Sequence, residues 1–149
     1  KFNKKLKASV NYFNFVFDDR AILVAKVHEL IYAQIFVLDI TQKIDKKHSI
    51  RYEAQHLSTK QDQGNWAFGQ IEYTFGSHWS FAILDQFNYG NKQETLRLHY
   101  LLGNIGYVSG PHRFSFQYGR QRAGIFCVGG VCRAVPASNG LTFTVTSSF

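Results

Sequence analysis

The chain has 149 residues, of which 45% are hydrophobic, 16% aromatic and 18% charged, a balance that excludes a disordered chain and fits one compact domain over residues 1–149. The chain has 14 Phe and 8 Tyr but only 2 Pro and no Met, which favours strands over helices. Its formal net charge is +7, yet no helix-turn-helix, zinc-ligand or RNA-binding pattern accompanies it, so we expect no nucleic-acid partner.

The sequence contains no evident signal peptide and no run that would form a membrane-spanning helix. No signal peptide is evident, and Lys1 is not a start Met, so we expect a processed chain or a piece of a longer one. The most apolar run, 21–40, contains Lys26, His28, Glu29, Gln34 and Asp39. A spanning helix needs about 20 mostly apolar residues, so this run is not one.

Alternation of apolar and polar residues predicts about eight antiparallel strands. In chain order they cover 5–17, 27–43, 49–57, 66–75, 79–89, 95–108, 113–121 and 140–149. The phase shifts near Phe13 in the first and near Leu101 in the sixth, where a bulge would explain it. Short connections at 44–47, 76–78 and 109–112 alternate with longer ones at 18–26, 59–65, 89–94 and 122–139. This is the plan of an up-and-down transmembrane β-barrel, complete or part of a larger one.

The composition of the two strand faces favours a membrane barrel over a soluble one. One face is apolar and aromatic, which suits lipid, and the other forms a polar ladder that suits a lumen, comprising Arg51, Glu53, Glu72, Arg97 and Arg113. A soluble ligand-binding barrel would have an apolar interior instead. A β-sandwich shares the same alternation and remains an alternative.

The last strand carries Leu141, Phe143, Val145 and Phe149 on one face and resembles the C-terminal assembly signal of Gram-negative outer-membrane proteins. The resemblance implies recognition by the barrel-assembly machinery; Ser147 departs from the pattern.

A longer resemblance covers the last two-thirds of the chain. It rests on residues 55–57, 88–91, 118–124, 127–133 and Pro136, which look like a group of uncharacterised Bacteroidota-type outer-membrane barrels. Members of that group are longer, so the resemblance implies an incomplete barrel, and it implies no activity.

Cys127 and Cys132 flank Val128-Gly-Gly-Val131. A Gly-Gly turn would place the two cysteines opposite each other within disulfide range, in a compartment that permits the bond. Two free thiols are the alternative. Arg120, Arg122 and Arg133 bracket this loop and are candidate contacts for lipopolysaccharide phosphates, with solvated charges as the alternative.

No residue spacing indicates catalysis, a metal site or a cofactor. The six histidines have no metal-ligand spacing, and a set of Ser115, His99 and Glu72 has nothing to hold it together. We therefore predict a non-enzymatic bacterial outer-membrane barrel, acting as a channel or as a structural subunit of an envelope complex. Its expected partners are outer-membrane lipid, lipopolysaccharide, the assembly machinery and other envelope proteins. A soluble barrel that binds a small ligand and an outer-membrane enzyme acting on lipid are the alternatives.

Overall fold

A computed structural model describes residues 5–18, 30–61, 63–128 and 131–148, and side chains within these ranges except those of 17–18 and 124–133. Eight strands form one antiparallel sheet in which each strand pairs with the next of these eight along the chain. They are β1 (Leu6–Asp18), β2 (Leu30–Lys43), β3 (His48–Thr59), β4 (Trp66–Phe75), β5 (Trp79–Phe87), β6 (Leu102–Ser109), β7 (His112–Gln121) and β10 (Ser138–Ser147). The hairpin of β8 (Gly124–Val128) and β9 (Val131–Val135) lies between β7 and β10 in the chain.

The all-β, up-and-down antiparallel arrangement is as predicted. The sheet is open in the described part of the chain, with β1 at one edge and β10 at the other. Within those same residues, no helix is both long and apolar enough to cross a bilayer.

The connections alternate in length between the two ends of the sheet. At one end, here the short-turn end, the chain reverses at 44–47, 76–78 and 110–111. Gly76 and Gly110 have φ values of 61° and 55°, which glycine adopts without steric cost. Asp45 holds the first turn because its Oδ1 accepts the N–H groups of Lys47 and His48 at 2.7 and 2.9 Å, as aspartate does in tight turns.

The opposite end, the long-loop end, carries the longer connections. Gly90 N–H donates to Asn65 at 3.0 Å, so the β3–β4 and β5–β6 loops contact each other. A Cβ on Gly64 would lie 2.1 Å from the carbonyl oxygen of Gly90, and this close approach requires glycine.

Two predictions about register were wrong. The sixth strand begins at Leu102, because residues 94–96 form a 3₁₀ turn instead. There is no bulge near Leu101, because β6 pairs with both neighbouring strands without interruption from Leu102 onward. Leu102 is 3% exposed, and the apparent loss of phase arises because this apolar residue lies on the otherwise polar face of the strand. β1 likewise pairs with β2 without a shift from Leu6 to Asp18. The apparent shift arises because its inner positions change from polar residues up to Asn11 to Phe13 and Phe15, while Asn14 lies on the outer face.

Directly opposite residues lie on the same face of an antiparallel sheet, so the register defines two faces. We call the face of Glu72 and Gln117 the inner face. One of its rows runs Lys7, Thr41, Arg51, Glu72, Ala82, Asn104, Gln117, Thr142. We call the other face the outer face. One of its rows runs Ala8, Ile40, Tyr52, Ile71, Ile83, Gly103, Tyr118, Leu141.

The polar inner face is the buried one. Its buried members include Gln70, Glu72, Ser80, Asn104 and Gln117, whereas outer-face residues such as Ile71, Ile83 and Phe143 are exposed. The small apolar cluster of Ala82, Leu84 and Leu102 also lies on the inner face, where Phe68 and Val135 pack against it.

Gly119 provides a test of the register at the long-loop end. Its φ is 135°, and an added Cβ would lie 2.2 Å from the carbonyl oxygen of Leu101, just before β6. We expect Gly119→Ala to lower the free energy of unfolding by about 1–3 kcal/mol, measured by urea titration. Gly69→Ala is the matched control, because its Cβ would meet nothing within 4 Å. Equal stability of the two variants would contradict this register.

The β2–β3 turn should make stability depend on pH. The N–H of Lys47 lowers the pKa of Asp45 below its ordinary value, helped by the N–H of His48 and by the charges of His48 and Lys5, while desolvation opposes the shift. A carboxyl group with a lowered folded-state pKa stabilises the fold above its unfolded pKa, and that stability disappears as the pH falls through the folded pKa. We expect Asp45→Asn to be less stable than the native chain at neutral pH and equal to it once Asp45 is protonated. Parallel urea titrations from neutral to acid pH check this.

Candidate functional site

A charged cluster on the inner face centres on Arg51 of β3. Its Nε lies 2.7 Å from Oδ2 of Asp39 on β2, and its Nη2 lies 2.6 Å from the same oxygen and 2.5 Å from Oε2 of Glu53. Glu72 of β4 is its directly opposite cross-strand partner. The amide of Gln55 donates to Glu53 at 2.5 Å. One guanidinium therefore binds two carboxylates and faces a third.

The cluster contains part of the predicted ladder. Arg51, Glu53 and Glu72 come together as predicted. Asp39 also belongs to the cluster, which the sequence did not predict because the middle of β2 is apolar on both faces. Arg97 is not part of the ladder: it follows the 3₁₀ turn, where its side chain donates to the Asn91 carbonyl at 3.0 Å and pairs with Glu94 at 3.4 Å. Arg113 is on the inner face of β7, four strands from Arg51 in the sheet.

Hydroxyl and amide side chains occupy the rest of this wall. The row nearest the short turns is Lys43, Ser49, Thr74, Ser80, Gly106, Ser115, Thr144. Ser49 and Thr74 are hydrogen-bonded to each other, and Asn104 donates to Ser115 at 2.7 Å. Gln117 is 2% exposed, so the side chains fill the wall around β6 and β7 closely.

A cavity of about 250 Å³ lies on the inner face nearer the long loops. Its wall mixes polar and apolar groups, namely Ile35, Glu53, Gln55, Leu57, Trp66, Ala67, Phe68, Gln70, Leu84, Gln86 and Arg122. The guanidinium of Arg122 lies 4.1 Å from the Trp66 ring centre, a cation–π contact. Arg122 therefore lines this cavity while remaining exposed, and its contact with lipid phosphate stays a prediction.

Of the other two loop arginines, the structure describes the side chain of Arg120 only. The guanidinium of Arg120 lies 5.0 Å from the ring centre of Tyr100, and the side chain of Arg133 is outside the described residues. A phosphate contact by either arginine stays a prediction.

A row of rings runs along the outer face at the short-turn end. The register aligns His48, Phe75, Trp79, Tyr107, Phe114 and Val145, and we call this the aromatic row. The Trp79 and Tyr107 ring centres are 4.6 Å apart, and those of Tyr107 and Phe114 are 6.4 Å apart. Rings also meet on this face near the long loops, where Phe87 stacks on His99 at 3.9 Å and His56 bonds the Tyr89 hydroxyl at 2.5 Å.

The residues considered for catalysis do not meet. His99 bonds Asp85 at 2.6 Å and stacks on Phe87 on the outer face. Ser115 and Glu72 lie on the inner face, three strands apart in the sheet. No cluster of three or more His, Cys, Asp or Glu that could hold a metal occurs among the residues that the structure describes.

The last strand and the hairpin are partly described. Leu141, Phe143 and Val145 are exposed on the outer face of β10, and Phe149 lies outside the described residues. The backbone register pairs Val128 with Val131 and Cys127 with Cys132, which is the predicted pairing. Gly129, Gly130 and both cysteine side chains are outside the description, and the disulfide stays a prediction.

Removing Arg51 should leave three carboxylates close together without their cation. We expect Arg51→Gln to lower the free energy of unfolding by about 2–4 kcal/mol, somewhat below the cost for a fully buried pair, since the Arg51 side chain is 32% exposed. Adding Asp39→Asn should recover part of this loss because it removes one repelling charge. Urea titration of the single and double variants measures both effects, and a double variant less stable than Arg51→Gln would contradict this account.

Comparison with known proteins gives a family match. A family model described as a family of unknown function (DUF6029) matches residues 1–149. No curated protein matches the chain, and no solved structure matches it. Since the family model covers the whole sequence, the chain belongs to the DUF6029 family.

Proposed function

We propose that this chain forms all or part of a transmembrane β-barrel in a bacterial outer membrane, with a non-enzymatic role as a channel or as a structural subunit of an envelope complex. One observation carries the proposal, namely the reversed polarity of the sheet. Polar side chains of the inner face are buried on strands β4–β7, and apolar side chains of the outer face are exposed, whereas water-soluble proteins rarely expose a large contiguous apolar surface.

The exposed face is nearly free of charge. The two outer rows next to the aromatic row contain no Asp, Glu, Lys or Arg from β1 to β10. Towards the long loops, Asp85 is paired with His99. A Lys or Arg facing lipid at the bilayer midplane costs about 2–4 kcal/mol, so this pattern is what a lipid-facing surface requires.

Strand length and aromatic placement also suit a bilayer. β4, β7 and β10 have 10 residues each and β5 has 9, and a tilted strand crosses the hydrocarbon core with about 9–11 residues. The aromatic row then lies at headgroup depth, where Trp and Tyr concentrate in membrane proteins.

The soluble alternative fits the inner face poorly. A soluble barrel that holds a small apolar ligand needs an apolar interior and a polar exterior. Here the interior holds Arg51 with its carboxylates and a row of hydroxyl groups. For the enzyme alternative, the residues considered from the sequence are not assembled into a site, because Ser115, His99 and Glu72 lie apart.

The number of strands decides between channel and structural subunit. An eight-stranded barrel is filled by its own side chains, whereas a barrel of 16 strands or more holds an aqueous channel. Closure would pair β1 with β10 directly or through further strands of a longer protein. Conductance of the inserted protein across a planar bilayer separates the two roles.

Several expectations belong to the same proposal: Bacteroidota-type origin, recognition of the last strand by the assembly machinery, and contact with lipopolysaccharide. In outer-membrane barrels the short turns face the periplasm, so β10 would run from the cell surface towards it. The Cys127–Cys132 disulfide also belongs here, since both compartments permit it; alkylation of both thiols without a reductant would exclude it.

The two tryptophans allow a test of the membrane-facing surface. Trp79 is 41% exposed in the aromatic row, and Trp66 is 8% exposed and faces the inner cavity. In vesicles of phosphatidylcholine brominated high in its acyl chains, we expect the Trp66→Phe chain, which keeps Trp79, to lose most of its fluorescence. The Trp79→Phe chain, which keeps Trp66, should lose little.

The contrary results are equally clear. Equal quenching of both single-tryptophan chains would mean that the outer face is not the lipid-facing one. No quenching of either chain, together with recovery in the soluble fraction and no heat-dependent shift in gel mobility, would overturn the membrane barrel.

A further inference from the structure

A basic pocket of about 590 Å³ lies at the short-turn end of β1, β2 and β3. We call it the lysine pocket, and it is lined by Lys5, Lys43, Asp45, Lys46, Lys47, His48, Ser49, Thr74 and Gly76. Four lysines against one aspartate give the lining a net charge of +3 with His48 neutral. The pocket is separate from the Arg51 cluster, whose charges are mostly negative.

Two of these lysines are held directly opposite each other. The N–H of Lys43 donates to the carbonyl of Lys5 at 2.7 Å, which continues the register that pairs Leu6 with Gln42. Both side chains therefore start from the inner face of adjacent strands. Like charges directly opposite in a sheet are destabilising, and an anion between them would turn repulsion into attraction.

The single carboxylate of the lining is used by the turn itself. Oδ1 of Asp45 accepts the N–H groups of Lys47 and His48 at 2.7 and 2.9 Å. The ammonium group of Lys5 donates to the Ile44 carbonyl at 3.1 Å, which holds it beside the turn. This arrangement fixes the backbone on which Lys46 and Lys47 stand and leaves a cationic surface facing the pocket.

The remaining wall supplies neutral hydrogen-bonding groups. Ser49 and Thr74 are bonded to each other through their hydroxyl oxygens and line the pocket beside Lys43. Hydroxyl groups can donate to anionic oxygens, and lysine binds phosphate as a point charge. Several lysines with adjacent hydroxyls suit a phosphate better than a single carboxylate, because phosphate has more oxygens and more charge.

We propose that the lysine pocket binds a phosphate group of a small soluble anion at the short-turn mouth of the sheet. Lys43, Ser49 and Thr74 belong to the inner face, while the proposed lipid contacts lie on the outer face, so the phosphate comes from a solute. The site depends only on β1–β4 and their turns. It goes beyond the proposed function, and the two can fail independently.

Isothermal titration calorimetry with inorganic pyrophosphate tests this, using the full chain in zwitterionic micelles at low salt. The native chain should bind with one saturable phase. Lys46→Gln/Lys47→Gln should bind about tenfold more weakly, because two charges of the lining are lost. The control Lys60→Gln/Lys92→Gln has the same net charge but alters the long-loop end, which lies well beyond a screening length of about 10 Å. It should bind within about twofold of the native chain.

A second variant tests the site without changing the β2–β3 turn, so that weaker binding cannot come from disruption of that turn. Ser49→Ala/Thr74→Ala keeps all four lysines and should still weaken pyrophosphate binding severalfold, because the wall loses its hydroxyl donors. Absence of saturable binding to the native chain, or equal weakening by the two lysine pairs, would overturn the site. Unchanged binding by the hydroxyl variant would overturn the role of Ser49 and Thr74.

Two further measurements separate the source of the phosphate and the proposed function. Phosphatidylglycerol added to the micelles should leave pyrophosphate binding unchanged, and competition would overturn a soluble ligand in favour of a lipid headgroup. Quenching of Trp79 by brominated lipid is measured on the same preparation. Normal quenching without pyrophosphate binding would remove the phosphate site and leave the membrane barrel standing.

Discussion

Backbone pairing from β1 to β10 is the constraint on which the distribution of side chains depends. Because opposite residues share a face, the register aligns the central residues of each strand with seven others across the sheet and so creates whole rows of one character. A slip of one residue in a single strand would exchange its two faces. It would place residues such as Glu72 or Gln117 among the exposed rings and bury the rings among carboxylates.

The register also explains why the charged groups of the inner face can be tolerated. Arg51, Asp39 and Glu53 come from two adjacent strands and Glu72 from a third, and they are brought together only by pairing. Burial of a charge is costly unless it is paired and hydrogen-bonded. The guanidinium, with five donors in a planar fork, satisfies two carboxylates at once, and Gln55 adds a donor to Glu53. Such a network stabilises one register over its neighbours, because any slip separates its members.

Much of the sheet could be predicted from the sequence because alternation is a local signal. β4, β5, β7 and the three short turns lie close to where the pattern placed them, and the inner position of Arg51, Glu53 and Glu72 follows from strand period alone. Arg97 could not be placed in this way. Residues 95–100 alternate like a strand, yet Glu94–Leu96 closes a 3₁₀ turn, and the choice depends on longer-range contacts, such as the backbone hydrogen bonds of Tyr100 with Gln86 on β5. Asp39 was not predicted for a related reason, since alternation cannot assign residues to faces in a strand that is apolar on both faces.

The apolar stretch of β1 reflects a change in the composition of the inner face and not a change of register. Tyr12 and Val16 lie on the outer face. Phe13 and Phe15 lie on the inner face opposite Ile35 and Ala33, and Leu57 and Trp66 continue the row of Ile35. The two Phe rings stack at 5.7 Å and are more than 40% exposed. The inner face is therefore polar in the short-turn half of the sheet, whereas in the long-loop half apolar residues join the polar groups that line the Trp66 cavity. β1 is also an edge, and an unpaired edge costs several kcal/mol for each unsatisfied group in hydrocarbon. In a bilayer, a strand paired with β1 would satisfy the backbone groups of β1. It would also extend the sheet on the side of Phe13 and Phe15 and so cover these two rings.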